Sequence, residues 1–371
     1  MFSSRLHWDL TPNPLTELLR AKLDAGETIL DLTESNPTHA GFTYPENLLD
    51  PDPRALRYDP APRGIASARE AIAAYQGVPP GRLLLTASTS ESYGFLFKML
   101  CDPGDEILTP RPSYPLFEFL ASLESVHVKQ YPLAYHEGWW LDFDELLRMV
   151  TPRTKAILLV NPNNPTGSYL KKTELEQLVA LAHATDMAII SDEVFADYAF
   201  EMDDSRVSTL AHCNDVLTFT LSGLSKVCAL PQMKLGWIAA NGPRHEEALE
   251  RLEWIADTYL SVSTPIQLAA PRMLEARGDV QRQICERTQQ NLAALNGRHL
   301  RVEGGWYATI PMPRTRSEES WVMDLLREHN VLVQPGYFFD FQSEAFVVVS
   351  LLTKPDVFAE GIRRLLSFSE D

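Results

Sequence analysis

The chain has 371 residues, 45% hydrophobic and 22% charged, with 33 basic side chains against 50 acidic ones for a formal net charge of -17. That length and composition predict a large buried core and exclude a collagen-like or extensively disordered chain, while the acidic balance disfavours nucleic acid and anionic membrane as partners. Four cysteines, at 101, 213, 228 and 285, form no Cys-x-x-Cys pair and fit reduced thiols in the cytoplasm. The first residues lack a signal-peptide core, no apolar run reaches membrane-spanning length, and the nine histidines show no metal-ligand spacing, so no metal is expected.

In chain order, the leucines at 15, 18, 19 and 23 predict a helix over 14–25, ended by Gly26, and a short strand over 28–32 follows. The polar turn at 32–38 carries Asn36, whose amide can both donate to and accept from a small ligand. Residues 45–62 are rich in proline and aspartate and read as an irregular loop holding Tyr58, before a helix over 65–75. A strand at 83–86 leads into Ser88-Thr89-Ser90, which opens a helix running to Leu100; hydroxyls and free amides at a helix start can cradle a phosphate or simply cap it.

The strand at 106–109 is followed by a loop that presents Tyr114, able to stack on a planar ligand. The continuous apolar run at 155–160 is expected of a strand covered on both faces, and the proline-flanked loop at 161–167 carries Asn164. Thr173-Glu174-Leu175-Glu176 fits a capping box, and the next strand ends at Asp192. Another strand, at 215–220, precedes Ser222-Gly223-Leu224-Ser225-Lys226, where a lysine sits among small residues and hydroxyls. Such a lysine can form a Schiff base, since a desolvated pocket favours its neutral, nucleophilic amine.

Strands alternating with helices argue for a mostly parallel, doubly wound sheet in which ligands gather at the carboxyl ends of strands. Tyr114, Asn164, Asp192 and Lys226 all fall at such ends. A long helix is expected over 244–261, and two more over 266–276 and 280–295, with a break near Gly278. The remainder reads as a smaller α+β layer. The predicted division is therefore an amino-terminal arm and helix at 1–35 that joins the small domain, a large domain at 36–276 and a small carboxyl-terminal domain at 277–371.

Asn164-Pro165-Thr166-Gly167, Ser191-Asp192-Glu193 and Gly223-Leu224-Ser225-Lys226 stand in this order over a span that makes the chain resemble the class I/II aminotransferases, fold-type I enzymes carrying pyridoxal 5′-phosphate. The resemblance implies that Lys226 is the Schiff-base lysine and proton-moving base, and that Asp192 pairs with the pyridinium nitrogen. It further implies that Asn164 bonds the ring's phenolic oxygen, that Tyr114 stacks on the ring, and that Ser88, Thr89, Ser90, Ser222, Ser225 and Lys234 bind the phosphate. Tyr58 would reach the phosphate of a second subunit, which implies a homodimer. The implied reaction moves an amino group from a small amino donor to an oxo acceptor; a lyase or decarboxylase on the same fold and a regulatory cofactor-binding protein are the alternatives.

Three positions depart from the family pattern. Phe195 stands where a tyrosine usually bonds the phenolic oxygen, so the Schiff base is expected to keep its proton to higher pH. Lys234 stands for a phosphate-binding arginine, a point charge in place of a two-pronged fork. Val348 aligns with the arginine that grips the substrate carboxylate, so either another cation substitutes, with Arg63, Arg111 and Lys354 as candidates, or the substrate presents something other than a free α-carboxylate there.

Overall fold

The structure, a computed structural model, describes residues 2–370. Its strands are β1 (Leu30–Asp31), β2 (Leu83–Thr86), β3 (Glu106–Arg111), β4 (His127–Tyr135), β5 (Trp139–Leu141), β6 (Thr154–Val160) and β7 (Ala188–Asp192). There follow β8 (Thr218–Gly223), β9 (Gly236–Asn241), β10 (Tyr307–Pro311), β11 (Val331–Leu332), β12 (Gln334–Pro335) and β13 (Phe346–Ser350). Eight of them make one sheet in the order β2-β9-β8-β7-β6-β3-β4-β5. The five from β8 to β4 run parallel, and β9, β2 and β5 supply the antiparallel margins.

Alternation along the central strands feeds two cores. Ile107, Leu158, Ile190 and Phe219 face one side with Phe97 and Phe117, whereas Leu108, Ile157 and Ile189 face the other with Tyr131 and Leu178. Being covered on both faces is why these strands read as unbroken apolar runs. The parallel arrangement also sets the carboxyl ends of β3, β6, β7 and β8 along one edge, above which the site lies.

A second layer is built from both ends of the chain. β10, β13 and β12 form a small antiparallel sheet, and β1 pairs in parallel with β11, Leu30 beside Val331 and Asp31 beside Leu332. Its core joins Leu15 and Leu32 to Val331, Val347, Val349, Phe358 and Leu365. The amino-terminal helix Pro14–Asp24 is capped by Asn13, whose side chain accepts from the Leu15 amide at 2.9 Å.

Two local expectations give way. No break occurs at Gly278: one helix runs from Thr264 to Ala294, straight through the expected division at 276/277. A glycine inside a helix costs about 1 kcal/mol against alanine. Packing outweighs it, because Ala270, Met273 and Leu274 anchor one half in one core, and Val280 and Ile284 anchor the other half in a second. The capping box also sits two residues earlier than predicted. The helix is Lys172–Thr185, and Glu174 accepts from the Lys171 amide at 2.7 Å.

The two layers are tied by a buried ion cluster. Glu303, just before β10, accepts from Lys171 Nζ at 2.6 Å and from the Tyr169 amide at 2.8 Å, and lies 3.2 Å from Arg206. The side chains of Lys171, Arg206 and Glu303 are 9%, 8% and 7% exposed, so deleting the carboxylate strands the Lys171 ammonium away from water, while Arg206 keeps Asp203 at 3.4 Å. Urea denaturation of Glu303→Ala should show a loss of about 3–5 kcal/mol, and Glu303→Leu combined with Lys171→Met a smaller loss than Glu303→Leu alone.

Candidate active site

Lys226 owes its place to close backbone contacts. β8 ends at Gly223, and the single helical turn Leu224–Val227 follows at once. Gly223 pairs with Gly236 of β9, and a Cβ on Gly236 would lie 2.9 Å from the Ser88 carbonyl carbon and 3.1 Å from the Thr89 nitrogen. Only a residue without a side chain lets the lysine turn, β9 and the helix beginning at Thr89 meet this closely. Three side chains then fix the carbonyls of the turn: Tyr198 donates to Lys226 at 2.6 Å, Gln281 to Val227 at 2.8 Å and Tyr44 to Ala229 at 2.9 Å.

The turn opens into a cavity of about 320 Å³. Lys226 lies on it with Nζ 4.7 Å from the centre of the Trp306 ring and 5.5 Å from that of Phe195. Burial pulls the ammonium pKa down to about 8, against the opposing pull of the Asp192 charge. Asp192, the last residue of β7, accepts from the Tyr93 hydroxyl at 2.6 Å and from the Val194 amide at 3.1 Å. Burial raises its pKa, while Tyr93, the Val194 amide and Lys226 act to lower it.

Opposite them is the start of the helix Thr89–Leu100. Ser88 is its N-cap, accepting from the Glu91 amide at 3.2 Å, and Ser88, Thr89 and Ser90 all line the cavity. First-turn amides and the helix dipole are features that can hold an anion. Ser225 and Lys234 also line the cavity, and Ser222 Oγ beside them in sequence is buried with no hydrogen-bond partner. In the loop after β6, Asn161 and Asn163 spend their side chains on fixing the loop, Asn161 bonding Val207 and Leu170 and Asn163 bonding Pro112 and Thr166. Asn164 instead faces the cavity, and its Oδ1 is buried without a partner.

Of the residues singled out in the sequence, the structure gathers Lys226, Asp192, Ser88, Thr89, Ser90, Asn164, Ser225, Lys234 and Tyr114 on one cavity, Tyr114 being 47% exposed at its edge. Asn36 is not brought in. Its side-chain oxygen is taken by the amide and hydroxyl of Thr38 at 3.0 and 2.8 Å, in a local turn, and it is the preceding Ser35 that lines the cavity. Tyr58 is 70% exposed and lies outside the cavity, against Leu260 and Ser261. Phe195 does line it, packed edge-on against Trp306 with ring centres 5.2 Å apart.

Val348 is fully buried on β13, between Thr309 and Gln334. None of its candidate substitutes lines the cavity. Arg63 donates to the Gly81 carbonyl, Arg111 donates to the suitably oriented Gln342 amide at 2.8 and 2.9 Å, and Lys354 packs over Gly41. The sequence reading missed Tyr93, Tyr307, Trp306 and Tyr198. For Tyr93 a signal was present: it lies four residues after Thr89, hence on the same face of a helix whose start had been singled out.

A doubly wound sheet with a desolvated lysine and a carboxylate at its strand ends, closed by an α+β layer, is the architecture of the fold-type I transferases. The chain belongs to the aminotransferase class I and II family, whose sequence model matches residues 29–365. It is similar to the glutamate-pyruvate aminotransferase AlaA of Haemophilus influenzae, at 28% identity over 96% of this chain and 94% of that one. It is also similar to human tyrosine aminotransferase, at 27% identity over 100% and 89% of the two chains. Among solved structures it superposes on alanine aminotransferase from Pyrococcus furiosus with a TM-score of 0.88 at 25% identity, covering 100% of both chains. The protein is thus an enzyme that transfers an amino group from an amino donor to an oxo acceptor.

The lysine environment can be read chemically. In cofactor-free protein, the rate at which Lys226 reacts with a small acylating reagent should rise with pH up to about 8 and level off above it. Exposed lysines keep gaining reactivity, about tenfold per pH unit, until their ordinary pKa of about 10.4. Peptide mass spectrometry across a pH series checks this, and a Lys226 profile matching the bulk lysines would refute it.

Proposed function

We propose that the cavity takes pyridoxal 5′-phosphate, held covalently by Lys226 through its aldehyde carbon, and uses it for transamination. The observation that carries this reading is a matched set of unmet needs on one cavity. Burial brings the Lys226 pKa down to about 8, Asn164 Oδ1 is buried without a partner, and the helix start at Ser88–Ser90 shares the lining with Lys234; Ser222 Oγ, next in sequence to the lining Gly223, is likewise without a partner. A phosphorylated, planar aldehyde with ring oxygen and nitrogen answers all of these.

When bound, the cofactor supplies an electron sink for charge developing at the donor's Cα. The protein's residues do the rest. The Ser88–Ser90 helix start, Ser222, Ser225 and Lys234 hold the phosphate, so that its charge is met by amides, hydroxyls and one ammonium. Asp192 faces the ring nitrogen and, when ionised, favours a proton there. Asn164 bonds the ring oxygen, and Tyr114 covers one ring face at the cavity edge. Lys226, neutral above pH 8 or so, is placed to take a proton from the substrate carbon and return it one atom away.

Tyr58 belongs in this reading to a homodimer, in which the loop at 45–62 carries it to the phosphate of the second subunit. Its exposure and the exposure of Leu56 and Leu260 on the same surface support that assembly.

Among the described residues, the cavity lining holds no arginine. Apart from Asp192, Lys226 and Lys234 its residues are neutral, and Val348 is not among them. Donors of the kind named for the relatives, alanine and glutamate, fit the reaction class, but their carboxylate meets no guanidinium fork from β13. Absorbance spectra of the holoenzyme, recorded as donors are added without acceptor, read the first half-reaction. Conversion of the bound chromophore is expected with amino acids. Removal of the carboxylate from the donor should cost less than about tenfold in kcat/KM, whereas a lost charge-assisted pair costs that much or more. A hundredfold penalty, or no conversion by any donor, would overturn the reading.

Phe195 bears on the same chromophore. Phe195→Tyr restores a hydroxyl able to stabilise the deprotonated form, so the pH at which the bound chromophore loses its proton should fall by about one unit. Spectrophotometric titration of the two proteins measures it.

A further inference from the structure

The shortest polar contact made by Asp192 is with a residue that motif reading passes over. Tyr93 is 2% exposed, sits one turn inside the helix Thr89–Leu100, and donates its hydroxyl to Asp192 Oδ2 at 2.6 Å, the length of a charge-assisted O–H···O⁻ bond. Its ring is fixed from the far side by Phe117, edge-on with centres 5.4 Å apart, and by Phe97 at 6.0 Å. The phenol lines the same cavity as the carboxylate it touches. We propose that Tyr93 is a positioning residue of the amino-transfer reaction, aiming the Asp192 carboxylate at the ring nitrogen and tying it to the helix that cradles the phosphate. The proposal rests on the reading of this cavity as the pyridoxal-phosphate site.

The geometry explains why such a residue is needed. Asp192 lies at the end of a buried strand, flanked in register by Val160 and Leu221, neither of which can solvate it. The groups facing it are Tyr93 from the helix, the Val194 amide and Glu193 from its own chain segment, and Lys226 from the turn after β8. Glu193 is a like charge only when ionised, burial raising its pKa to about 7, and its carboxylate is turned away onto the Leu210 amide at 2.7 Å, Thr209 at 2.6 Å and Ser191 at 3.0 Å. Lys226 serves as counter-charge only while it is an ammonium, and bonding to the cofactor takes that amine. Tyr93 and the Val194 amide are then the donors that hold Asp192 ionised. Burial keeps the phenol protonated, so it donates at every working pH.

One link gains a second role from this arrangement. The helix that presents Ser88, Thr89 and Ser90 to the phosphate presents Tyr93 to Asp192 one turn later, so both ends of the cofactor are held from one rigid element.

The test compares wild type with Tyr93→Phe, which keeps the ring and its packing on Phe117. Full-length protein stripped of cofactor is titrated with pyridoxal 5′-phosphate by fluorescence from pH 6 to 9. The variant should bind about tenfold more weakly near neutral pH. The gap should widen as pH falls, because a carboxylate that has lost a donor takes up a proton at higher pH. Incorporation of 3-fluorotyrosine at position 93, a more acidic phenol of nearly the same shape, should move the profile the opposite way. Equal affinities for wild type and Tyr93→Phe, or a loss that is the same at every pH, would overturn the positioning role. So would a fluorotyrosine profile that coincides with the phenylalanine one. A wild type that binds no pyridoxal 5′-phosphate would instead overturn the reading of the cavity.

Discussion

The architecture depends on one close approach, that of Gly236 to the main chain at Ser88 and Thr89. Any side chain on Gly236 would press a Cβ to 2.9 Å from a backbone carbon, which cannot yield as a flexible side chain can. From that contact the rest follows in steps. β9 is held against the start of a helix, Gly223 is held against Gly236 by strand pairing, and Lys226 emerges three residues later. Lys226 and the helix start at Ser88–Ser90, more than a hundred residues apart in sequence, are thereby placed on one cavity.

The electrostatics of that cavity are a contest in which burial prevails. Lys226 and Asp192 attract each other, which by itself would hold both ionised; yet burial lowers the pKa of the one and raises that of the other. A lysine held near 8 is useful as a nucleophile and a base only because the opposite charge does not overwhelm desolvation. Asp192 meets the same contest from the other side, since burial favours its neutral form while its hydrogen-bond donors favour the anion. Short bonds from Tyr93 and the Val194 amide supply what the distant ammonium does not.

The fold was legible because its signals are local and repeated. Apolar runs, turn residues and caps at each strand end identify a doubly wound sheet without any long-range information, and residues at the carboxyl ends of those strands were found by position alone. What escaped was tertiary. Tyr93, Tyr198 and Tyr307 look like ordinary core tyrosines in sequence, and only packing shows which of their hydroxyls meets Asp192, which the Lys226 carbonyl and which the cavity. Asn36 lies outside the cavity for the complementary reason: its amide can both donate and accept, but its side-chain oxygen is taken two residues away by Thr38. The continuous helix at Gly278 shows the same limit, as a local breaker was overruled by cores on either side.

That helix, Thr264–Ala294, has a bearing on how the chain can be dissected. At 1.5 Å per residue its 31 residues span about 46 Å. Its first half packs with Val227, Leu230 and Trp237, its second half with Phe42, Tyr198 and Trp306. Cutting at 276/277 would sever a single rod and bare an apolar stripe on each fragment, including the seats of Val280 and Ile284. Midway along it Gln281 holds both Asp197 and the Val227 carbonyl, immediately beside the lysine. The two layers are therefore separable as descriptions of packing but not as pieces of polypeptide.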